Sequence, residues 1–127
     1  MNLEKVIFGF FVVLALTLNF GFFLGEFDNP AHHNEFELFA VIVVNLIATA
    51  LKFGDRSQIG AVLLSTSLVA DLELLAAAGY WTFAVHITGT GLTPEVMSSI
   101  MSLAGGALLA NVISTIILVA ETLFNRL

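Results

Sequence analysis

The sequence predicts an all-α integral membrane protein, a bundle of four transmembrane helices with both termini in the cytoplasm. Three observations carry this prediction: the composition, four long apolar segments, and the positions of the basic residues. Of the 127 residues, 58% are hydrophobic and 11% are charged, whereas a soluble domain carries about 25% charged residues. Because a soluble fold of this length cannot bury so much apolar surface, we expect lipid to solvate much of a single domain, residues 1–127.

Four apolar segments are long enough to cross a bilayer, for which a helix needs roughly 20 residues. They are residues 6–24, 36–53, 59–80 and 96–120. The first is expected to be a retained helix rather than a cleaved signal, because no small-x-small cleavage site follows it. Gly54 is typical of a helix C-cap and Asp55 or Ser57 of an N-cap, which predicts a tight hairpin. Asn29-Pro30 and Thr93-Pro94 each indicate a helix start, with the cap before the proline.

The basic residues predict the orientation of the bundle. If the four segments cross the membrane in turn, all four basic residues lie at segment ends on the same side of it: Lys5, Lys52, Arg56 and Arg126. The two connections on the other side contain no Lys or Arg, and the first of them is acidic. The positive-inside rule therefore places both termini in the cytoplasm.

Charge and motifs exclude several classes of function. The net charge is −6 with only 4 Lys and Arg residues, so the chain has no basic patch for nucleic acid. Cysteine is absent, which excludes disulfides, thiolate catalysis and Cys-based metal sites. No hydrolase or phosphate-binding motif occurs. We therefore expect neither an enzyme nor a cofactor.

Histidines in the first outer connection could indicate a metal site together with nearby acids. His32 and His33 are adjacent, however, and therefore point apart, and no H-x-x-x-H spacing exists. An acidic loop that responds to pH is the favoured interpretation, and no metal site is predicted.

Two acids stand inside the third segment. Asp71 and Glu73 lie about 18 and 21 Å from its cytoplasmic end at 1.5 Å per residue, where inserting a carboxylate costs roughly 2.5–3.5 kcal/mol. They point about 200° apart and do not form a pair. No Lys or Arg lies within a segment at that depth, so we expect no salt bridge inside one subunit. Asp71 is expected to be protonated, hydrogen-bonded or bound to a cation; for Glu73 a role is left open.

Other polar residues could line a cation path with Asp71. Ser67 lies on the same helical face, and Asn19 is predicted near the same depth. Asn45 and Asn111 are predicted deeper toward the cytoplasm, at levels similar to each other. For each Asn alone, hydrogen bonding between helices, typically worth about 0.6 kcal/mol, is the favoured interpretation.

The fourth segment carries small residues at every fourth position: Ser98, Ser102, Gly106, Ala110 and Ser114. Such a run lets another helix approach closely, within the bundle or between subunits. A hinge at Gly105-Gly106 is the alternative.

The predicted outer loop contains alternating Thr and Gly: His86, Thr88, Gly89, Thr90 and Gly91. The pattern faintly resembles the selectivity filter of potassium channels. Tyr80 and Trp81 are predicted to mark the outer aromatic belt, however, which leaves no room for a pore helix. A glycine-rich loop outside the membrane is therefore favoured over a filter.

Two stretches of the chain resemble a known family. They are residues 51–60, LKFGDRSQIG, and residues 68–72, LVADL. They resemble small four-helix bacterial inner-membrane proteins that form an uncharacterised family. The resemblance implies a multi-pass protein of the bacterial inner membrane and no activity, so no site residue follows from it.

Two hypotheses of function remain. The first is a small oligomeric channel or transport component for cations, in which Asp71 binds the cation and the small residues of the fourth segment join subunits. The second is a non-transporting accessory subunit, whose carboxylate meets a basic residue of a larger membrane partner. An intramembrane enzyme ranks behind both.

Overall fold

The computed structural model is a bundle of four helices: α1 (Leu3–Phe23), α2 (Glu35–Lys52), α3 (Gln58–Thr82) and α4 (Pro94–Arg126). It describes residues 3–24, 35–54 and 58–126. α1 packs on α2 and α4, and α3 packs on the same two helices, so α1 and α3 are diagonal across the bundle. The predicted all-α class and the four helices are confirmed.

Three of these helical stretches are long and apolar enough to cross a membrane: Leu3–Phe23, Gln58–Ile87 and Pro94–Phe124. α2 has 18 residues and carries charged residues at both of its ends, Glu35, Glu37 and Lys52. We call the end of the bundle where α1 begins and α2 ends the basic end, after Lys5 and Lys52.

The bundle exposes many large apolar side chains and buries small and polar residues beside its apolar core. The buried face of α3 includes Gly60, Ser67, Ala70, Asp71 and Ala77, while its exposed face includes Leu68, Leu72 and Leu75. Helices in lipid pack through small and polar residues, because the lipid tails solvate large apolar ones. This distribution indicates a membrane protein.

The main apolar core lies in the half of the bundle remote from the basic end. Its largest members are Phe22 of α1, Leu38 and Val41 of α2, Leu74 and Trp81 of α3, and Met97, Ile100 and Met101 of α4. The cluster of buried polar side chains described below lies nearer the basic end, while buried Asn19 reaches the apolar core at Ala104.

The third helix extends beyond its predicted end. α3 reaches Thr82 and continues as a π-helical turn, Phe83–Ile87, in which the N–H of Thr88 donates to the carbonyl of Phe83 at 2.8 Å. Phe83 to Thr88 contains neither Gly nor Pro, so nothing ends the helix before Gly89, whose φ is 71°. The prediction that the third helix ends at residue 80 is therefore wrong, and His86, expected in an outer loop, lies in the π-helical turn.

The Thr-Gly segment connects this turn to α4. Gly89 and Gly91 both have positive φ, and the N–H of Gly91 donates to the carbonyl of Ala84 at 2.9 Å. The hydroxyl of Thr93 then accepts from the N–H of Val96 at 3.2 Å. The predicted helix start, with Thr93 as cap and Pro94 as first residue, is confirmed.

The small residues of α4 divide into two groups. Gly106, Ala110 and Ser114 face the interior of the bundle, whereas Ser98 and Ser102 are exposed. A Cβ atom at Gly106 would overlap the carboxylate of Glu73, and one at Gly105 would lie 2.8 Å from Cε1 of Phe23. The second half of the run therefore packs within the subunit, which is one of the two alternatives expected for it.

Several predictions lie outside the described residues. They concern the cap at Asn29-Pro30, the loop histidines His32 and His33, and the cap at Asp55 or Ser57.

Candidate functional site

Five buried polar side chains from three helices form a cluster nearer the basic end. They are Thr49 and Lys52 of α2, Ser67 and Asp71 of α3, and Ser114 of α4. We call this set the Lys52–Asp71 cluster. Lys52 is 2% exposed and Asp71 7%, so an acid and a base are both removed from solvent.

Helical spacing brings these side chains together. Ser67 and Asp71 are four residues apart on one face of α3, and Thr49 and Lys52 are three apart in the last turn of α2. The shared face predicted for Ser67 and Asp71 is confirmed. Ser114 comes from α4, which also packs on α3, so the cluster lies where three helices meet.

The side chain of Lys52 points into the bundle. Its Nζ donates to Oγ of Ser67 and, at 2.7 Å, to Oγ of Ser114. A Lys at a helix end usually extends its ammonium toward water. Here the hydroxyls of Ser67 and Ser114 hold the ammonium inside the bundle instead. A base thus shares the polar cluster of Asp71, which the sequence did not predict, but the hydrogen bonds of its Nζ go to the two serine hydroxyls and not to the carboxylate.

The carboxylate of Asp71 is only partly satisfied. Oδ2 lies 2.5 Å from Oγ1 of Thr49, whereas Oδ1 is buried without a hydrogen-bond partner. Oγ1 of Thr49 also lies 2.8 Å from the carbonyl of Asn45. A hydroxyl has a single hydrogen, so Thr49 can donate to only one of these two oxygens at a time.

Asn19 does not join this cluster. With its amide oriented so that both polar atoms are bonded, Asn19 donates to the carbonyl of Ala104 at 3.1 Å. Its oxygen accepts from Nδ2 of Asn111 and from the N–H of Leu108, both at 3.0 Å. The expected association with Asp71 is wrong, because α1 and α3 are diagonal and Asn19 meets α4.

Asn45 and Asn111 differ in what they bond. Asn111 links α4 to Asn19 of α1, as expected for hydrogen bonding between helices. Nδ2 of Asn45 donates to the carbonyl of Val41 on its own helix at 2.8 Å. Asn45 enters the cluster only through its backbone carbonyl, which faces Thr49.

The remaining candidates lie elsewhere. Glu73 is half-buried against Gly106 of α4 and, as predicted, points away from Asp71. Gly89 is 18 residues beyond Asp71, about 27 Å along a helix. The hydroxyls of Thr88 and Thr90 lie 3.1 Å apart in a turn that closes the end of the third helix.

A family model matches residues 32–122, which is well over half of the chain. The chain belongs to DUF6394, a family of unknown function. The uncharacterised family expected from the sequence is thereby confirmed. The DUF6394 match spans α2, α3 and most of α4 and so contains all five members of the Lys52–Asp71 cluster, while Asn19 lies outside it. Neither the curated proteins nor the solved structures contain a match to the chain.

Sequence reasoning missed two members of the cluster in this DUF6394 chain, Thr49 and Lys52. The available signal was their spacing of three residues in the last turn of α2, since that places both on one face. Lys52 was instead interpreted only as a charge that orients the bundle.

Proposed function

We propose that the protein is a small transport component of the bacterial inner membrane that takes up a cation at Asp71. In this proposal all four helices span the membrane and both termini are cytoplasmic, so the basic end faces the cytoplasm. One observation carries the proposal: Asp71 and Lys52 are buried together between three helices, with Oδ1 of Asp71 unbonded.

The energetic cost of this arrangement supports a role beyond packing. Burying two charges costs several kcal/mol per ion, and apolar residues of similar volume are often equally stable or better. Ionisable residues inside a membrane mark ion or proton pathways by default. An acceptor left unbonded in the same cluster adds a further cost that a bound cation would remove.

The interior of one subunit limits how a cation could cross. Beyond Asp71, the bundle interior is lined by Leu74, Ala77 and Trp81 of α3 and by Met97 and Met101 of α4, all buried. A complete path would therefore run between subunits of a homo-oligomer, where Ser98 and Ser102 are exposed on α4, and would meet Asp71 from the cytoplasmic side.

Flux in proteoliposomes tests the proposal. Wild type, Asp71→Asn and the control Glu37→Gln, whose side chain is exposed on α2, are reconstituted at equal protein density. Proton flux is followed with an internal pH dye and sodium or potassium flux with radioactive tracers. Wild type and the control should carry one of these cations at equal rates, and Asp71→Asn at least about tenfold more slowly. Equal flux from Asp71→Asn contradicts the proposal.

A second candidate function is a non-transporting accessory subunit of a larger membrane complex. The apolar half of the bundle interior favours this accessory role. A subunit that has no path of its own across the membrane could help to complete a path in a partner protein. A photo-crosslinking residue at exposed Ser102 discriminates the two functions in native membranes. Crosslinked homo-oligomers support the transport component, whereas one specific partner protein with no homo-oligomer supports the accessory role.

A further inference from the structure

We propose that Lys52 is a tethered counter-cation that takes up the serine hydroxyls beside Asp71 and restricts the Asp71 site to protons, excluding sodium and potassium. This inference rests on the proposed function in one respect, since it specifies which cation Asp71 takes up. The role of Lys52 itself follows from the geometry of the Lys52–Asp71 cluster and does not require that the protein transports a cation.

The oxygen ligands of the cluster are already engaged. Hard metal cations in proteins bind about six oxygen atoms. Here the hydroxyls of Ser67 and Ser114 accept hydrogen bonds from Lys52, and Oδ2 of Asp71 contacts Thr49. The ammonium of Lys52 thus engages two hydroxyls that a metal cation at Asp71 could otherwise use as ligands. Only Oδ1 of Asp71 is left.

A proton, unlike a metal cation, needs only one oxygen of Asp71, and Oδ2 can take it up while keeping its contact with Thr49. The hydroxyl of Thr49 adapts to either protonation state of Asp71 without a movement of heavy atoms. When Asp71 is charged, the hydroxyl of Thr49 donates to Oδ2. When a proton resides on Oδ2, that proton is donated to Thr49, and the hydroxyl of Thr49 turns to the carbonyl of Asn45, which already lies 2.8 Å away.

Protons reach this site from the basic end. Lys52 is the last residue of α2 and is followed by exposed Phe53 and Gly54, whereas the main apolar core lies beyond Asp71 in the opposite half. The charged groups of the cluster are Lys52 on α2 and Asp71 on α3, and α4 contributes the neutral Ser114. Glu73 packs on Gly106 outside the cluster.

Melting temperatures in detergent test the role of Lys52, since a ligand that binds the folded state stabilises it. Wild type, Lys52→Met and Lys52→Arg are each melted at one pH in sodium, potassium or choline chloride of equal concentration. Wild type and Lys52→Arg should melt at the same temperature in all three salts. Lys52→Met, which keeps an apolar stem and removes the charge, should melt about 4 °C or more higher in sodium or potassium than in choline.

Two results overturn the proposal: specific stabilisation of the wild type by sodium or potassium, or a folded Lys52→Met that no metal cation stabilises. The first needs no variant, so the proposal stays falsifiable if Lys52→Met does not fold. Carbodiimide labelling, which modifies protonated carboxyls, is mapped by mass spectrometry as a second readout. Sodium should reduce labelling of Asp71 about fivefold in Lys52→Met and leave it unchanged in wild type.

These equilibrium measurements separate the inference from the proposed function. Absence of flux together with the expected melting pattern rejects transport and retains the role of Lys52. Sodium flux through wild type with specific sodium stabilisation retains transport and rejects the role of Lys52.

Discussion

At the scale of single residues, the decisive feature is the direction in which Lys52 extends. Its backbone lies at a helix end, where a long basic side chain would ordinarily reach water. The hydroxyls of Ser67 and Ser114 instead hold the ammonium inside, in the same cluster as the carboxylate of Asp71. We expect the two opposite charges to stabilise each other there, because an isolated buried charge is far more costly.

A double-mutant cycle measures this mutual dependence. Lys52→Met should destabilise the protein by about 3 kcal/mol, because it leaves Asp71 as an uncompensated buried charge. Asp71→Asn alone should also destabilise it by a similar amount, and the double variant should recover most of the loss. The free energies come from reversible unfolding in mixed micelles, in choline salts. Strictly additive losses in the double variant would show that the two residues are not coupled.

At the scale of helices, α4 is the element against which α1 and α3 pack most closely. Phe23 of α1 lies against Gly105, and Glu73 of α3 lies against Gly106. Asn19 bonds the carbonyl of Ala104 and the N–H of Leu108, which are the two ends of one helical turn. Three side chains from two helices thus converge on a single turn of α4.

Substitution at Gly105 tests this close approach. In Gly105→Ala the new Cβ would lie 2.8 Å from Cε1 of Phe23, so the ring of Phe23 or the helix that carries it must shift, at a cost of about 1–3 kcal/mol for overpacking. Gly79→Ala is the matched control, since a Cβ there meets nothing within 4 Å, and a more helix-favouring residue should stabilise α3 by up to about 1 kcal/mol. Unfolding free energies check both. A Gly105→Ala variant as stable as Gly79→Ala would contradict the packing.

The helices themselves could be predicted from the sequence, and the cluster only in part. Apolar length and the Thr93-Pro94 start place the helices to within a few residues, because both are local signals. Asp71 stands out because a carboxylate in an apolar segment is costly wherever it points. Depth along a helix does not determine which helices are neighbours, so Asn19 was assigned to Asp71 rather than to Asn111. Nor does it determine the direction of a long side chain such as that of Lys52.

At the scale of the whole molecule, the Lys52–Asp71 cluster lies nearer the basic end, and the main apolar core, with Trp81 and the methionines of α4, lies in the other half. The orientation predicted from the basic residues places the end nearer the cluster in the cytoplasm.

Thiol labelling determines the orientation, and the absence of cysteine from the chain makes the measurement clean. Single cysteines are introduced at Phe53 near the basic end and at Thr90 in the Thr-Gly segment, both exposed positions. A membrane-impermeant maleimide added to spheroplasts should label Thr90→Cys and spare Phe53→Cys, since the basic end is predicted to be cytoplasmic. After permeabilisation both should react, which serves as the control for accessibility. Labelling of Phe53→Cys in intact spheroplasts would reverse the orientation, and the Lys52–Asp71 cluster would then exchange protons with the outside.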